Sequence, residues 1–118
     1  MARLRLTGQV YHADEQELHT VRKFDFFSDV DCLEDVDINL PPSADHVFTA
    51  ADYGAMAWTT VQIFSDYDIT VTVTSGDESF AIPTHEALLI QRTTLDAVTI
   101  TNPSTTITIK VKVVLGGI

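Results

Sequence analysis

Acidic residues form the densest group of side chains with possible chemistry in this sequence. The group spans thirteen positions and comprises Asp25, Asp29, Asp31, Glu34, Asp35 and Asp37. Ca²⁺ needs several converging carboxylate and carbonyl oxygens. In an extended chain the strand period of two gives two pairs of carboxylates that share a side, Asp29 with Asp31 and Asp35 with Asp37. The EF-hand spacing is absent, and the alternative is a charged strand edge that prevents edge-to-edge pairing of sheets, so calcium binding stays open.

Histidine and cysteine positions do not follow a zinc-binding pattern. The histidines lie at positions 12, 19, 46 and 85, and Cys32 is the single cysteine. Since no histidine has an i, i+4 partner and Cys32 has no second sulfur, we interpret the histidines as solvated or hydrogen-bonded side chains. Cys32 cannot form an internal disulfide, and we interpret it as a small packing residue. The sequence indicates no cofactor.

Catalytic motifs are missing as well. No serine lies in a Gly-X-Ser-X-Gly turn, and the five glycines are dispersed apart from Gly116 and Gly117, so no loop is suited to cradle a phosphate. Glycoside hydrolases use two carboxyl groups at a suitable distance from each other. Any protein with seventeen Asp and Glu residues has some pair at such a distance, so a pair of this kind is no evidence for glycosidase activity. The sequence therefore predicts a protein that is not an enzyme.

Aromatic residues allow a different kind of site. Trp58, Tyr53 and Tyr67 would form a stacking platform for sugar rings if they shared an exposed surface. The alternative places Trp58 in the core, because tryptophan often fills the space between two packed sheets. The six phenylalanines are also interpreted as core residues, at positions 24, 26, 27, 48, 64 and 80.

Charge and length limit the range of partners. The chain has 118 residues, a net charge of −10 and a pI near 4.4, which argues against nucleic acid or an anionic membrane as the main partner. Neither a membrane-spanning run nor a signal-peptide core is present, so we expect synthesis in the cytoplasm. The length predicts one domain over residues 1–118.

The elements that position these residues are predicted to be strands. Thirty-seven residues are Val, Ile or Thr, which favour strands over helices. Apolar and polar residues alternate most clearly over 105–115 and 68–74, and further strands are predicted at 3–11, 18–27, 35–40, 58–64, 86–92 and 95–101. Turns are expected near Pro41, at Ser65-Asp66, at Ser75–Glu78, at Pro83 through Glu86 and at Asn102–Ser104. This pattern predicts an all-β, single-domain β-sandwich, jelly-roll-like, with seven to nine mostly antiparallel strands.

Both ends of the chain suggest self-association. Val114 lies on the otherwise polar face of the last strand, and the apolar residue Ile118 follows that strand after Gly116 and Gly117. Leu4 and Leu6 alternate with polar residues in the first strand. These four residues are candidates for an interface with a neighbouring subunit, and the alternative is coverage by the chain's own core and loops.

The segment from Thr94 to Gly116 resembles the closing hairpin of small β-sandwich structural proteins of tailed bacteriophages. It carries a threonine-rich strand, an Asn102-Pro103 turn and a final amphipathic strand. The resemblance implies a virion component such as a decoration (cement), head-fibre, tail or neck protein, made in the host cytoplasm. It also implies self-association and attachment to other virion proteins. The alternative function is a small carbohydrate-binding module that uses Trp58, Tyr53 or Tyr67.

Overall fold

The computed structural model describes residues 2–13 and 18–118. This part of the chain forms eight strands and one short 3₁₀ helix. In chain order the elements are β1 (Ala2–Ala13), β2 (Leu18–Val30), β3 (Cys32–Leu40), β4 (Asp45–Thr49), the 3₁₀ helix (Ala50–Tyr53), β5 (Trp58–Ser75), β6 (Glu78–Leu95), β7 (Ala97–Thr101) and β8 (Ile109–Gly117). The predicted all-β fold is confirmed, and all strand pairs are antiparallel.

Two strands are longer than the sequence predicted. The separate strands expected at 58–64 and 68–74 are one strand, β5, and the turn expected at Ser65-Asp66 is a bulge within it. Opposite the bulge, Pro83 and Glu86 lie inside β6 and not in a turn. Proline is tolerated there because β6 is an edge strand, and Glu86 has a positive φ of 68° at the bend. The hairpin turn expected at Ser75–Glu78 is confirmed, with Gly76 at a positive φ of 60°.

The last strand is shorter than predicted. Its expected start at Thr105 is wrong, because β8 begins at Ile109. The Ser104 hydroxyl accepts hydrogen bonds from the backbone N–H groups of Thr106 (3.2 Å) and Ile107 (3.0 Å). These local bonds compete with strand pairing and leave Ile107 exposed, although its place in the alternation predicted burial.

The six strands β3–β8 form one hydrogen-bonded sheet that bends at the β5 bulge. Before the bulge, Trp58–Ser65 pair with β8, which pairs with β3, and this part is the first half-sheet. After the bulge, residues 70–74 pair with β7, which pairs with β4, and this part is the second half-sheet. β6 flanks β5 along both halves. The two halves face each other as a sandwich, which we call the body.

One hydrophobic core fills the body. It combines Ile63, Val113 and Leu115 from the first half-sheet with Val71 and Ile100 from the second. Phe48 is buried as predicted, but Phe64 and Phe80 are 38% and 59% exposed, so their assignment to the core is wrong. Phe64 alternates with Ile63 and therefore points to the other side of the sheet. The side chains of the phenylalanines at positions 24, 26 and 27 lie outside the described residues.

β1 and β2 form a separate two-stranded sheet, which we call the arm. Its base adjoins the body where Asp31 N–H donates to the carbonyl oxygen of Gly117 (2.7 Å). The molecule measures 49 × 41 × 25 Å, and its radius of gyration is 15.7 Å. A compact domain of this length would have a radius of gyration of about 13.5 Å. The molecule is therefore more extended than a sandwich alone.

Candidate interaction surface

The outer face of the first half-sheet carries an unusual set of residues. Cross-strand pairing arranges this face in three rows: Leu33, Gly116, Thr60 and Gln91; Asp35, Val114, Gln62 and Leu89; Asp37, Lys112, Phe64 and Ala87. Four apolar residues of these rows form what we call the outer patch, namely Leu33, Phe64, Leu89 and Val114. Leu33, Phe64 and Leu89 are 45%, 38% and 43% exposed, and Val114 is half-buried. A sheet face in water normally carries polar residues at such positions.

Charged residues border the outer patch on one side. A shallow groove of about 500 Å³ opens beside Phe64. It is lined by Asp37, Phe64, Ser65, Asp66, Glu86, Lys110 and Lys112. An apolar area with a charged rim is the usual anatomy of a protein–protein interface.

The arm covers Gly116, which lies between Leu33 and Thr60 in the first row. A Cβ atom on Gly116 would lie 2.6 Å from Val30 Cγ1 and 2.7 Å from Leu4 Cδ1, so these two side chains lie directly over the glycine. Val30 and Gly116 are buried, and Thr60 in the same row is fully buried. Glycine is needed at position 116 because the arm approaches the sheet closely there.

Ion pairs between described side chains link the two strands of the arm. Arg5 donates to both carboxylate oxygens of Asp25, at 2.9 and 2.8 Å, and Arg3 Nε donates to Asp29 Oδ1 at 2.8 Å. The hydrogen bonds from Arg5 lower the pKa of Asp25 below its ordinary value, and the positive charge of Arg5 adds to this effect. These residues are solvent-exposed, so the pairs fix the register of the arm more than they stabilise the fold.

The structure places the four predicted interface residues at different sites. Leu4 and Leu6 are half-buried in the arm, and Val114 lies in the outer patch. Ile118 is exposed, but its backbone is held by the segment before β5: its N–H donates to Ala57, and its carbonyl accepts from Met56. The base of the arm and Val114 are thus near one another. Ile118 lies farther along, past Gly116 and Gly117, against the segment before β5.

The acidic residues proposed as calcium ligands are not brought together. Asp29 is paired with Arg3 in the arm, whereas Asp35 and Asp37 lie on the outer face of β3. Asp31 is exposed in the bend between the arm and the body. Among residues 2–13 and 18–118, no three His, Cys, Asp or Glu side chains are grouped as metal ligands would be. Calcium binding stays a prediction from the sequence.

The four histidines lie in three different parts of the fold. His85 Nδ1 lies 2.8 Å from Asp68 Oδ1 at the exposed bend of β5 and β6, and the His46 ring contacts Phe48, with ring centroids 4.5 Å apart. The register of the arm places His12 opposite His19, although their side chains are outside the described residues. Cys32 is half-buried and its thiol donates to the carbonyl oxygen of Tyr53 (3.2 Å), as expected for a packing residue.

The aromatic platform is not formed as a unit. Trp58 is 0% exposed, and its indole N–H donates to the carbonyl oxygen of Phe48 (3.0 Å), so Trp58 is a core residue. Tyr53 packs against it with ring centroids 5.7 Å apart. Tyr67 is 50% exposed at the β5 bulge, next to a shallow groove of about 320 Å³. Of the three proposed sugar-binding residues, Tyr67 alone has an exposed ring.

Sequence reasoning missed most of the outer patch. It identified Val114 but assigned Phe64 to the core and did not single out Leu33 or Leu89. A signal was present, because Phe64 falls in the alternation with Thr60 and Gln62, opposite to that of Val61 and Ile63. Leu89 offered no comparable signal, since Leu88, Leu89 and Ile90 are all apolar.

Within the described residues, the structure contains no helix of the length and apolarity needed to cross a membrane. No family model matches the sequence, and no curated protein sequence matches it. Among solved structures, the chain is similar to the cupin domain of Schizosaccharomyces pombe Cnp3. The TM-score is 0.48 and the sequence identity 14%, over 97% of this chain and 84% of that chain. We take no functional conclusion from this similarity.

Proposed function

We propose that this chain is a non-enzymatic structural protein of a phage virion, which self-associates and attaches to a capsid or tail in the manner of a decoration protein. The observation that carries the proposal is the outer patch. Leu33, Phe64 and Leu89 expose apolar side chains on a sheet face that would otherwise be polar. The resemblance of residues 94–116 to phage sandwich proteins supports the virion assignment.

Burial of the outer patch would be energetically favourable. Removing apolar surface from water contributes about 25 cal/mol per Å². A stable interface needs about 800 Å² from each partner, which is more than four side chains supply. The interface must therefore extend beyond the outer patch onto neighbouring surfaces.

Light scattering coupled to size-exclusion chromatography tests self-association. We expect a mass above that of the 13.0 kDa monomer, rising with protein concentration if the interface is weak. Parallel runs in calcium and in EDTA test the acidic group at the same time. A monomer at every concentration in both buffers would contradict self-association.

Attachment to a particle needs a second experiment. Peptides of this chain should be found by mass spectrometry in gradient-purified phage particles from cells that express the chain from its native locus. Tail and capsid fractions separated after disruption would then show the site of attachment. Recovery of the chain in the soluble fraction alone would contradict the virion assignment.

The carbohydrate-binding alternative has less support from the site. Burial of Trp58 removes the strongest stacking residue, and Tyr67 is left as a single exposed ring. A glycan array with the wild-type chain and the Tyr67→Ala variant would test this function. Carbohydrate binding predicts a saturable signal from the wild-type chain on at least one glycan, and loss of that signal in the variant.

A further inference from the structure

We infer that the arm of one copy packs on the outer patch of a second copy. This inference rests on the proposed self-association and names the two surfaces that form the contact. The occupant is the side of strands β1 and β2 that carries Leu6, beyond the part that already covers Gly116 of its own body. The receiving surface is formed by Phe64, Leu89 and Val114.

The arm needs a surface on which to pack. β1 and β2 have 12 and 13 residues and form a two-stranded sheet of their own. Such strands extend about 40 Å at 3.4 Å per residue. A two-stranded hairpin is at best marginally stable in water, and it becomes stable when one face packs on another element. Near Leu4 and Val30 the chain's own body provides this packing over Gly116.

The body surface under the arm continues into the outer patch. Gly116 and Thr60 in the first row are buried, whereas Leu33 in that row and Leu89 and Phe64 in the next two rows are exposed. The sheet face is therefore covered around Gly116 and uncovered at the end that carries Leu89 and Phe64. A second arm laid on the uncovered end would extend a contact that the structure already forms.

Charge favours an arm-to-body contact over contact between two bodies. Residues 31–118 contain three Lys and Arg against twelve Asp and Glu, a net charge of −9. Residues 1–30 contain four Lys and Arg against five Asp and Glu, a net charge of −1. Two bodies face to face would repel each other strongly, while the nearly neutral arm meets the acidic body with little repulsion.

Cross-linking between two single-cysteine variants tests the contact directly. In a Cys32→Ser background, Leu6→Cys and Leu89→Cys chains of different tagged mass are mixed and treated with a short bismaleimide. We expect a cross-linked heterodimer. The matched control replaces Leu89→Cys by Val47→Cys, because Val47 is an exposed apolar residue on β4 of the second half-sheet. Equal yields with Leu89→Cys and Val47→Cys would overturn the inference.

Charge substitutions provide a second, independent measurement. Leu6→Asp and Leu89→Asp should each raise the dissociation constant of self-association about tenfold or more, since each would bury an unpaired carboxylate. Because an arm-to-patch contact uses different surfaces on the two copies, a mixture of these variants should regain association through one intact arm and one intact patch. Circular dichroism and thermal melts check that both variants fold.

The outcomes separate this inference from the proposed function. A wild-type chain that stays monomeric would contradict both. A wild-type chain that associates, with Leu89→Asp disruptive and Leu6→Asp neutral, would mean that two outer patches meet face to face. In that case self-association would stand and the arm contact would be wrong.

Discussion

Asn102 is a fully buried polar residue at the end of β7, and its side chain organises the connection to β8. Its amide nitrogen donates to the carbonyl oxygens of Leu40 (3.0 Å), Pro41 (3.1 Å) and Ile107 (2.7 Å). Its amide oxygen accepts from the N–H of Ser104 at 2.9 Å. One side chain therefore satisfies backbone groups from two separate loops.

Replacement of Asn102 should destabilise the fold. The change Asn102→Ala leaves buried carbonyl groups without donors, at a cost of about 1–3 kcal/mol in the free energy of unfolding. Urea denaturation measures the change. The matched control is Asn39→Ala, at an exposed position of β3, where we expect an effect within about 0.5 kcal/mol. Equal effects of the two variants would show that the buried amide is not needed.

The Arg5–Asp25 pair predicts a pH response of the arm. The pKa of Asp25 is lowered in the folded state by the hydrogen bonds from Arg5. A lowered folded-state pKa contributes stability above the unfolded pKa, and this contribution is lost as the pH falls through the folded value. The arm should therefore loosen only in acid, below the ordinary aspartate pKa of about 3.9.

Carboxyl-carbon NMR can follow the titration of Asp25 itself. The midpoint should lie below the ordinary aspartate value in the wild type and move upward in Arg5→Gln, which retains a polar side chain but removes the charge. An unchanged midpoint in the variant would mean that Arg5 does not hold the carboxylate in solution.

At the scale of elements, two adjacent glycines at the end of β8 have different neighbours. A Cβ on Gly117 would lie 2.8 Å from the carbonyl oxygen of Ala57 and 2.9 Å from Ala55 Cβ. A Cβ on Gly116 would meet the side-chain atoms of Leu4 and Val30 in the arm. The body therefore leaves no room for a larger side chain at position 117, and the arm leaves none at position 116.

These neighbours predict different effects of alanine. In Gly117→Ala the loop before β5 must move, and we expect a loss of about 1–3 kcal/mol in the free energy of unfolding. In Gly116→Ala the ends of two arm side chains must move, so thermal stability of the body should change less. Amide hydrogen exchange in the arm should instead become faster. A larger loss of body stability for Gly116→Ala would contradict this assignment.

An element could be predicted from the sequence where the residues of that element alone determine its structure, and could not where distant strands determine it. β8 alternates regularly from Ile109 to Val113, so its inward face could be identified. The continuity of β5 could not, because Ser65 and Asp66 are typical turn residues and the pairing that makes them a bulge comes from β6, distant in sequence. The outer patch depends on which strands become neighbours, and periodicity within one strand does not contain that information.

For the whole molecule, the combination of an acidic body and an extended arm is the property most relevant to assembly. The net charge of −10 keeps separate copies apart at a distance, and it works against contact between large like-charged faces. A small apolar contact made by an extended element avoids much of that repulsion. Raising the salt concentration should accordingly strengthen a body-to-body contact more than an arm-to-body contact.

Val114→Lys tests whether the outer patch takes part in assembly. Val114 is half-buried on the outer face of β8, with Asp35 and Gln62 as its register partners. A lysine can extend to solvent beside Asp35, so the fold should be retained. Burial of the ammonium group in an interface is unfavourable, and we expect the dissociation constant of self-association to rise about tenfold or more. Val47→Lys, on the second half-sheet, is the control and should leave the dissociation constant unchanged. If Val114→Lys leaves both the fold and the assembly unchanged, Val114 lies outside the interface and the contact must be sought on another face of the body.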